Sequence, residues 1–240
     1  MNPRFIWSFA KFNGISWIKE SPWSIIANIV TPVCLVVILY LISNGRLVTY
    51  AIVGGVIAII SATTLTATGE SAFFRLELRI QDLIIPTKVT MIDYVFAFTL
   101  ANLVSASPGI MFFAMLSVLF HLFTLQRLLT MLAVVVLLAI AATSIAVFVG
   151  SWIKRVIGLW AISGILSAIM TLLPPTFYPY GVLPKAALYI LAISPVTPAA
   201  VIMQGAYGLG AYDLWMWPLL IFEVFFYIFI VGKFGRWAEK

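Results

Sequence analysis

Residues 69–86 read GESAFFRLELRIQDLIIP, and this stretch decides how the rest of the chain is understood. On a helical wheel turning by about 100° per residue, Arg79 and Asp82 fall within roughly 40° of Arg75. Phe73, Leu76, Ile80, Leu83 and Ile84 lie roughly 80° to 180° from it on the same wheel. The spacing predicts an amphipathic helix over 69–86, stopped by Pro86, whose ring cannot donate a backbone N–H. Hydrophobic segments flank it on both sides, so a helix of this kind has work to do other than crossing a bilayer.

Composition sets the surroundings of that helix. Of the 240 residues 63% are hydrophobic and 9% are charged, too few charges to coat a globular surface. Soluble domains carry about 25% charged residues. With a mean hydropathy of +1.13, the chain reads as an all-α integral membrane protein. The net charge of +6 does not indicate nucleic acid, because the basic residues stand singly between apolar segments, as membrane topology requires. The one cysteine, Cys34, lies in an apolar run and has no partner for an intrachain disulfide. The first long apolar run begins near Ser24, behind Arg4, Lys11 and Lys19, and lacks a small-residue cleavage site. It is therefore expected to be a retained first span.

Working outward, residues 3–20 are expected to form an interfacial helix, with Arg4, Lys11 and Lys19 on one side and Phe5, Phe9 and Phe12 on the next. Trp7 and Trp17 suit the headgroup layer; Gly14 weakens the middle. Six transmembrane helices are expected at 24–43, 48–67, 94–122, 129–151, 156–173 and 214–232, each near the roughly 20 residues that a bilayer demands. Ser107-Pro108-Gly109 predicts a kink or break in the third, and Pro32 a gentler bend in the first.

Lysine and arginine counts orient the bundle. With the N-terminus inside, the inner segments hold Arg4, Lys11, Lys19, Arg75, Arg79, Lys88, Lys154, Arg155, Lys233, Arg236 and Lys240, against Arg46, Arg127 and Lys185 outside. That asymmetry predicts that both termini and the 69–86 helix face the cytoplasm of a multi-pass protein of the cell membrane. Between the fifth and sixth spans, residues 173–210 carry six prolines yet stay apolar over 186–193 and 199–203. Runs so short, bounded by proline, predict helices that dip in and return, a re-entrant segment over 174–204, since broken backbone at membrane depth needs protein or a wet cavity around it.

Motifs for chemistry are sparse. There is no GxxxxGK[ST] phosphate loop, no HExxH and no CxxC, so neither nucleotide hydrolysis nor a histidine–cysteine metal site is expected. His121 reads as an interfacial side chain. Gly54 and Ala58 have the small-xxx-small spacing of close helix packing. Glu223 lies in the middle of the last span, within PLLIFEVFFYIFIV. A carboxylate at that depth costs on the order of 3 kcal/mol and is expected to face the bundle or a wet cavity. It is either a group on a transport path or a structural glutamate bonded to a neighbouring helix, with Asn102, Thr143 or Ser144 as partner. Glu70, at the end of the second span, is either a solvated helix-end carboxylate or the anchor of the helix that follows.

Several local patterns carry a family resemblance: Glu70 with the downstream Asp82-Leu83-Ile84-Ile85-Pro86; Phe177-Tyr178-Pro179 followed by Leu183-Pro184; Ser194-Pro195-Val196-Thr197-Pro198; and Lys19-Glu20-Ser21-Pro22 ahead of the first span. In this order and spacing, over nearly the whole chain, they resemble the permease subunit of the ABC-2 family of exporter-type ABC transporters. The sequence departs from that pattern where relatives often carry Gly-Thr within the amphipathic helix and arginine at the place of Gln204.

The resemblance implies an exporting permease; the apolar lining and lack of large outer domains favour an amphiphilic or lipid-like compound moved out of the cytoplasm, with haem, polysaccharide and sodium as the other cargoes open within the family. It implies a second permease copy, a homodimer rather than a heterodimer, and two cytoplasmic ABC ATPase subunits that bind the ATP and Mg, this chain holding no cofactor. Residues 69–86 become the coupling helix that docks in a groove of the ATPase, with Glu70, Arg75, Glu77, Arg79 and Asp82 as its partner-binding residues. The re-entrant helices become the extracellular gate, and Phe177, Tyr178, Pro179, Asn102 and Glu223 the candidates for gate or substrate path. Two other classes compete: a secondary transporter or channel using Glu223 as coupling group, and a membrane-embedded enzyme. The first often shows internal repeats, which are not found here; the second needs several polar groups at one depth, where Glu223 stands nearly alone.

Overall fold

The computed structural model describes residues 2–20, 22–84, 86–211 and 213–236, without the side chains of residues 17, 22, 24, 25, 27 and 28. Ser21, Ile85 and Lys240 and the side chain of Trp17, all used above, lie outside what is described. Among the described residues the fold is entirely helical, with no strand.

Among the described residues four helices are long and apolar enough to cross a membrane: α4 (Val48–Leu76), α6 (Met91–Leu119), α7 (Leu125–Trp152) and α11 (Met216–Phe234). They match the second, third, fourth and sixth expected spans. The first lies in α3 (Pro22–Ser43), whose apolar described part runs Ile29–Ser43. The fifth is α8 (Leu159–Leu172), 14 residues long. At 1.5 Å per residue that is about 21 Å, short of the roughly 30 Å of hydrocarbon. Gly158, at φ +90°, delays its start, and Pro174-Pro175 prevents its extension.

α4 is the axis of the bundle. Every residue from Ala51 to Ser61 is buried on it, and α3, α6, α7, α8 and α10 (Val196–Ala206) pack around it. Small residues set the closest approaches. A Cβ on Gly150 of α7 would stand 2.1 Å from Ser71 Oγ and 2.7 Å from the Thr68 carbonyl of α4. At Gly54 a Cβ would stand 2.3 Å from the Thr176 carbonyl. Gly54 therefore admits a loop lying across α4, where a helix contact was expected, and Ala58 lines a cavity.

Residues 3–20 are helical throughout, as α1 (Pro3–Ala10), a π-helical turn (Lys11–Ile15) and α2 (Ser16–Glu20). Gly14 is the buried residue of that turn, and a Cβ there would lie 3.0 Å from the Ala101 carbonyl. Phe9 is buried among Phe74, Tyr94 and Phe98, with ring centroids at 6.2, 5.6 and 4.9 Å. The segment is thus packed onto α6, while Trp7 and Phe12 stay exposed. Asp93 ties the two together: it closes a capping box with Thr90 at the start of α6 and accepts from the Asn2 amide at 2.9 Å.

The expected kink in the third span is bridged. Pro108 lies inside α6 and cannot bond the Val104 carbonyl, but Ser107 Oγ donates to that oxygen at 2.7 Å, so the helix continues. The proline-rich segment contains the two expected short helices, α9 (Lys185–Leu191) and α10, behind a 3₁₀ turn at Tyr180–Val182. α10 is buried from Val196 to Gln204.

The helix expected over 69–86 is not one element. α4 runs unbroken through Gly69 and Glu70 to Leu76, and a separate single turn, α5 (Ile80–Ile84), follows. The break is local. The Phe73 carbonyl accepts from both the Glu77 and Leu78 amides, at 2.9 and 3.2 Å, and Arg79 turns into the left-handed region at φ +49°. The wheel sees periodicity but not this reversal, which a glycine would normally announce.

Candidate functional site

Two places on α4 gather the residues singled out above. The first is the elbow formed by the end of α4 and α5. Glu77, Arg79 and Asp82 are exposed there, together with Leu78 and Leu83, whose side chains are 50% and 76% exposed. Gln81 and Ile84 are buried beneath them. The apolar stripe is therefore divided, with Phe73, Leu76, Ile80 and Ile84 turned inward and Leu83 outward.

Arg75 departs from its expected place on the outward face. It is partly buried, and its guanidinium donates to the Gly150 carbonyl at 3.2 Å and to the Ile153 carbonyl. A helix C-terminus leaves its last carbonyls without intrahelical donors and carries partial negative charge, which draws a cation. Arg75 accordingly caps α7 and locks it to α4.

The second place is a polar chamber of about 260 Å³, lined by Asn13, Thr63, Thr66, Glu70, Asn102, Ser105 and Trp160. Four elements supply it: the π-helical turn, α4, α6 and α8. Gly69 makes room for Trp160, since a Cβ there would stand 2.8 Å from its ring. The structure thus unites Glu70 and Asn102, which the sequence had assigned to different tasks. Glu70 accepts from Asn13 Nδ2 at a long 3.5 Å. Asn102 is 5% exposed and its Nδ2 has no acceptor among the described residues. Asn13, Thr63, Thr66, Ser105 and Trp160 escaped sequence reasoning. The signal present was the i, i+3, i+7 spacing of Thr63, Thr66 and Glu70, and the i, i+3 spacing of Asn102 and Ser105, each marking one helix face.

A second cavity of about 280 Å³ adjoins the chamber at Thr66, which lines both. α3 contributes Pro32 and Leu35, α4 Ala58 and Ala62, and α8 Ala168 and Leu172, with Phe177 at its far end. Its lining is mainly apolar. Phe177 belongs to the segment 174–180, which Gln204 holds from below. Gln204 Nε2 donates to the Pro175 and Tyr178 carbonyls at 2.6 and 3.0 Å, and its Oε1 accepts from the Tyr180 amide at 3.1 Å. Tyr178 Oη donates to the Leu173 carbonyl at 2.6 Å, and Pro179 is the residue before the 3₁₀ turn.

Glu223 does not join these residues. It is 4% exposed on α11, and neither carboxyl oxygen has a hydrogen-bond partner among the described residues. The bond to Asn102, Thr143 or Ser144, one of the two readings of Glu223, is not made among the described residues; Ser144 Oγ donates to the Ile140 carbonyl of its own helix at 2.7 Å. His121, at φ +56°, is exposed in the turn between α6 and α7. Among the described residues no three His, Cys, Asp or Glu side chains form a group that could hold a metal ion.

Fold and cavities together define a helical protein with, among the described residues, four helices long and apolar enough to cross a membrane, built around one buried helix flanked by a polar and an apolar cavity. No protein-family model matches the chain, and no curated protein matches it.

Proposed function

We propose that this chain is the membrane-spanning permease subunit of an ATP-driven ABC exporter. It moves an amphiphilic or lipid-like compound out of the cytoplasm, working as a dimer of permeases with two separate ATPase subunits that bind ATP and Mg. The observation that carries the proposal is the continuity of α4. One unbroken helix lines both cavities, through Ala58, Ala62, Thr63, Thr66 and Glu70, and ends in the exposed elbow. An ATPase gripping Leu78, Arg79, Asp82 and Leu83 would displace a rigid rod whose other surface borders the substrate. Docking of a short amphipathic element in a partner's groove is a common recognition mode. In this proposal the elbow and both termini lie in the cytoplasm and residues 174–204 form the outer gate, six segments counting as spans.

The test is co-purification with an ABC ATPase encoded by a neighbouring reading frame. The double substitution Arg79→Glu, Leu83→Asp changes only exposed side chains, so the fold is expected to hold while ATPase binding falls at least tenfold. Unchanged binding and unchanged ATP-dependent transport would remove the elbow from the coupling path.

One observation favours a second reading. Glu223 is buried with both oxygens unpartnered among the described residues, as a coupling group of an ATPase-independent transporter would be. Transport that persists without any ATPase and stops in Glu223→Gln would select it.

A further inference from the structure

The hydrogen-bonding capacity left over in the polar chamber describes a ligand. Thr63 and Thr66 use their hydroxyl protons on their own helix, donating to the Ile59 and Thr63 carbonyls at 2.8 and 2.7 Å. Their oxygens keep lone pairs for the chamber. Glu70 has one long bond, from Asn13 at 3.5 Å, and so keeps most of its accepting capacity. Among the donors of the residues lining the chamber, Asn102 Nδ2, on a side chain 5% exposed, is buried without an acceptor among the described residues. A buried donor without a partner is costly, and a ligand acceptor would relieve it. Trp160 completes the wall with an aromatic ring suited to a cation.

We propose that the chamber binds the head of a cationic amphiphile, a protonated amine with a hydroxyl on the neighbouring carbon, and that the apolar cavity beyond Thr66 takes its hydrocarbon tail. An ammonium has three donors and no acceptor. It satisfies Glu70 and the two threonine oxygens together, while the ligand's hydroxyl oxygen accepts from Asn102 Nδ2. An anionic head would meet Glu70 with like charge. A head with no charge would forgo the charge-assisted bond, which is roughly twice as strong as a neutral one. The inference rests on the amphiphile-export proposal and names the head group that the exporter would carry.

The experiment is a binding measurement on the full chain in phosphatidylcholine nanodiscs, with no ATPase present. Tryptophan fluorescence is titrated with 2-amino-1-dodecanol, dodecylamine and 1,2-dodecanediol, and the Trp160→Phe variant supplies the signal not due to Trp160. The amino alcohol is expected to bind about tenfold or more tightly than the diol, as a charge-assisted bond implies. Glu70→Gln should abolish that preference, and Asn102→Leu should bring the amino alcohol to the level of dodecylamine. Circular dichroism confirms that each variant is folded, and Thr66→Val, a milder change in the same wall, should weaken amine binding in a chain that keeps its fold. Equal affinity for diol and amino alcohol, or an amine preference that survives Glu70→Gln, would overturn the proposal. Because the ATPase is absent, a chain that prefers the amine but does not export sustains this inference and removes the exporter proposal. ATP-driven export of the diol with no preference for the amine does the reverse.

Discussion

Gln204→Leu is the substitution from which the structure predicts most. Gln204 is 1% exposed on α10 and makes three hydrogen bonds to the segment above it, through the Pro175 and Tyr178 carbonyls and the Tyr180 amide. Leucine fills nearly the same volume but leaves all three backbone groups without that partner. Helix-to-helix polar bonds in a membrane protein average about 0.6 kcal/mol, and intramolecular bonds in general about 1 kcal/mol. Three of them place the loss at about 2–3 kcal/mol. Unfolding of the purified chain in mixed micelles with rising dodecyl sulfate measures it directly. A loss below about 0.5 kcal/mol would refute the idea that Gln204 holds segment 174–180 in place. The location of the effect is checked by Gly54→Ala, because the added methyl would stand 2.3 Å from the Thr176 carbonyl and so push the same segment from α4. A segment already released by Gln204→Leu has less left to lose. The double variant should therefore cost about 1 kcal/mol less than the sum of the two, a coupling typical of residues that share a partner. Strict additivity would mean that the two residues act on different structures.

Two further predictions concern the junction of α4 and α7. Gly150→Ala should cost about 1–3 kcal/mol in the same unfolding assay, the range for overpacking. Ser71→Ala should restore only part, since the Thr68 carbonyl, a backbone atom, still lies 2.7 Å from the new methyl. Arg75→Ala should cost about 2 kcal/mol by stripping two charge-assisted bonds from the α7 C-terminus. Arg75→Glu should cost more, because it places a negative charge against a helix terminus of the same sign.

How much of this was legible beforehand differs from element to element. Long apolar runs announced α4, α6, α7 and α11, because nothing but burial or lipid suits so many nonpolar residues in a row. Proline spacing announced α9 and α10. The fate of Arg75 was hidden because a wheel separates polar from apolar faces but does not distinguish water from the carbonyls of another helix's end. The break at residues 77–79 was hidden because a non-glycine residue took the left-handed conformation. Gly69 was read as the start of a new helix, whereas packing explains it. α4 continues there, and the missing side chain admits Trp160. The chamber was half legible: the threonines and Glu70 repeat at helical spacing, but nothing in one chain segment says that Asn13, from a π-helical turn 57 positions away from Glu70, completes the wall.

The same helix that forms the core runs from both cavities to the exposed elbow, and this constrains how α4 can move. Its central turns pack against Phe113 of α6 at Gly55 and the 174–180 segment at Gly54, and its later turns against Gly150 at Thr68 and Ser71. A displacement entering at the elbow cannot be absorbed by bending in the middle without opening these contacts. The Arg75 cap makes α7 move with it. The flank facing α3 and α8 is different. It borders two cavities instead of close-packed side chains, and α8, at 14 residues, is shorter than α3, α6 and α7. Motion of α4 is thus expected to be taken up on the α8 side, where it changes the volume of both cavities and the position of Trp160 relative to Glu70, while α7 travels with α4.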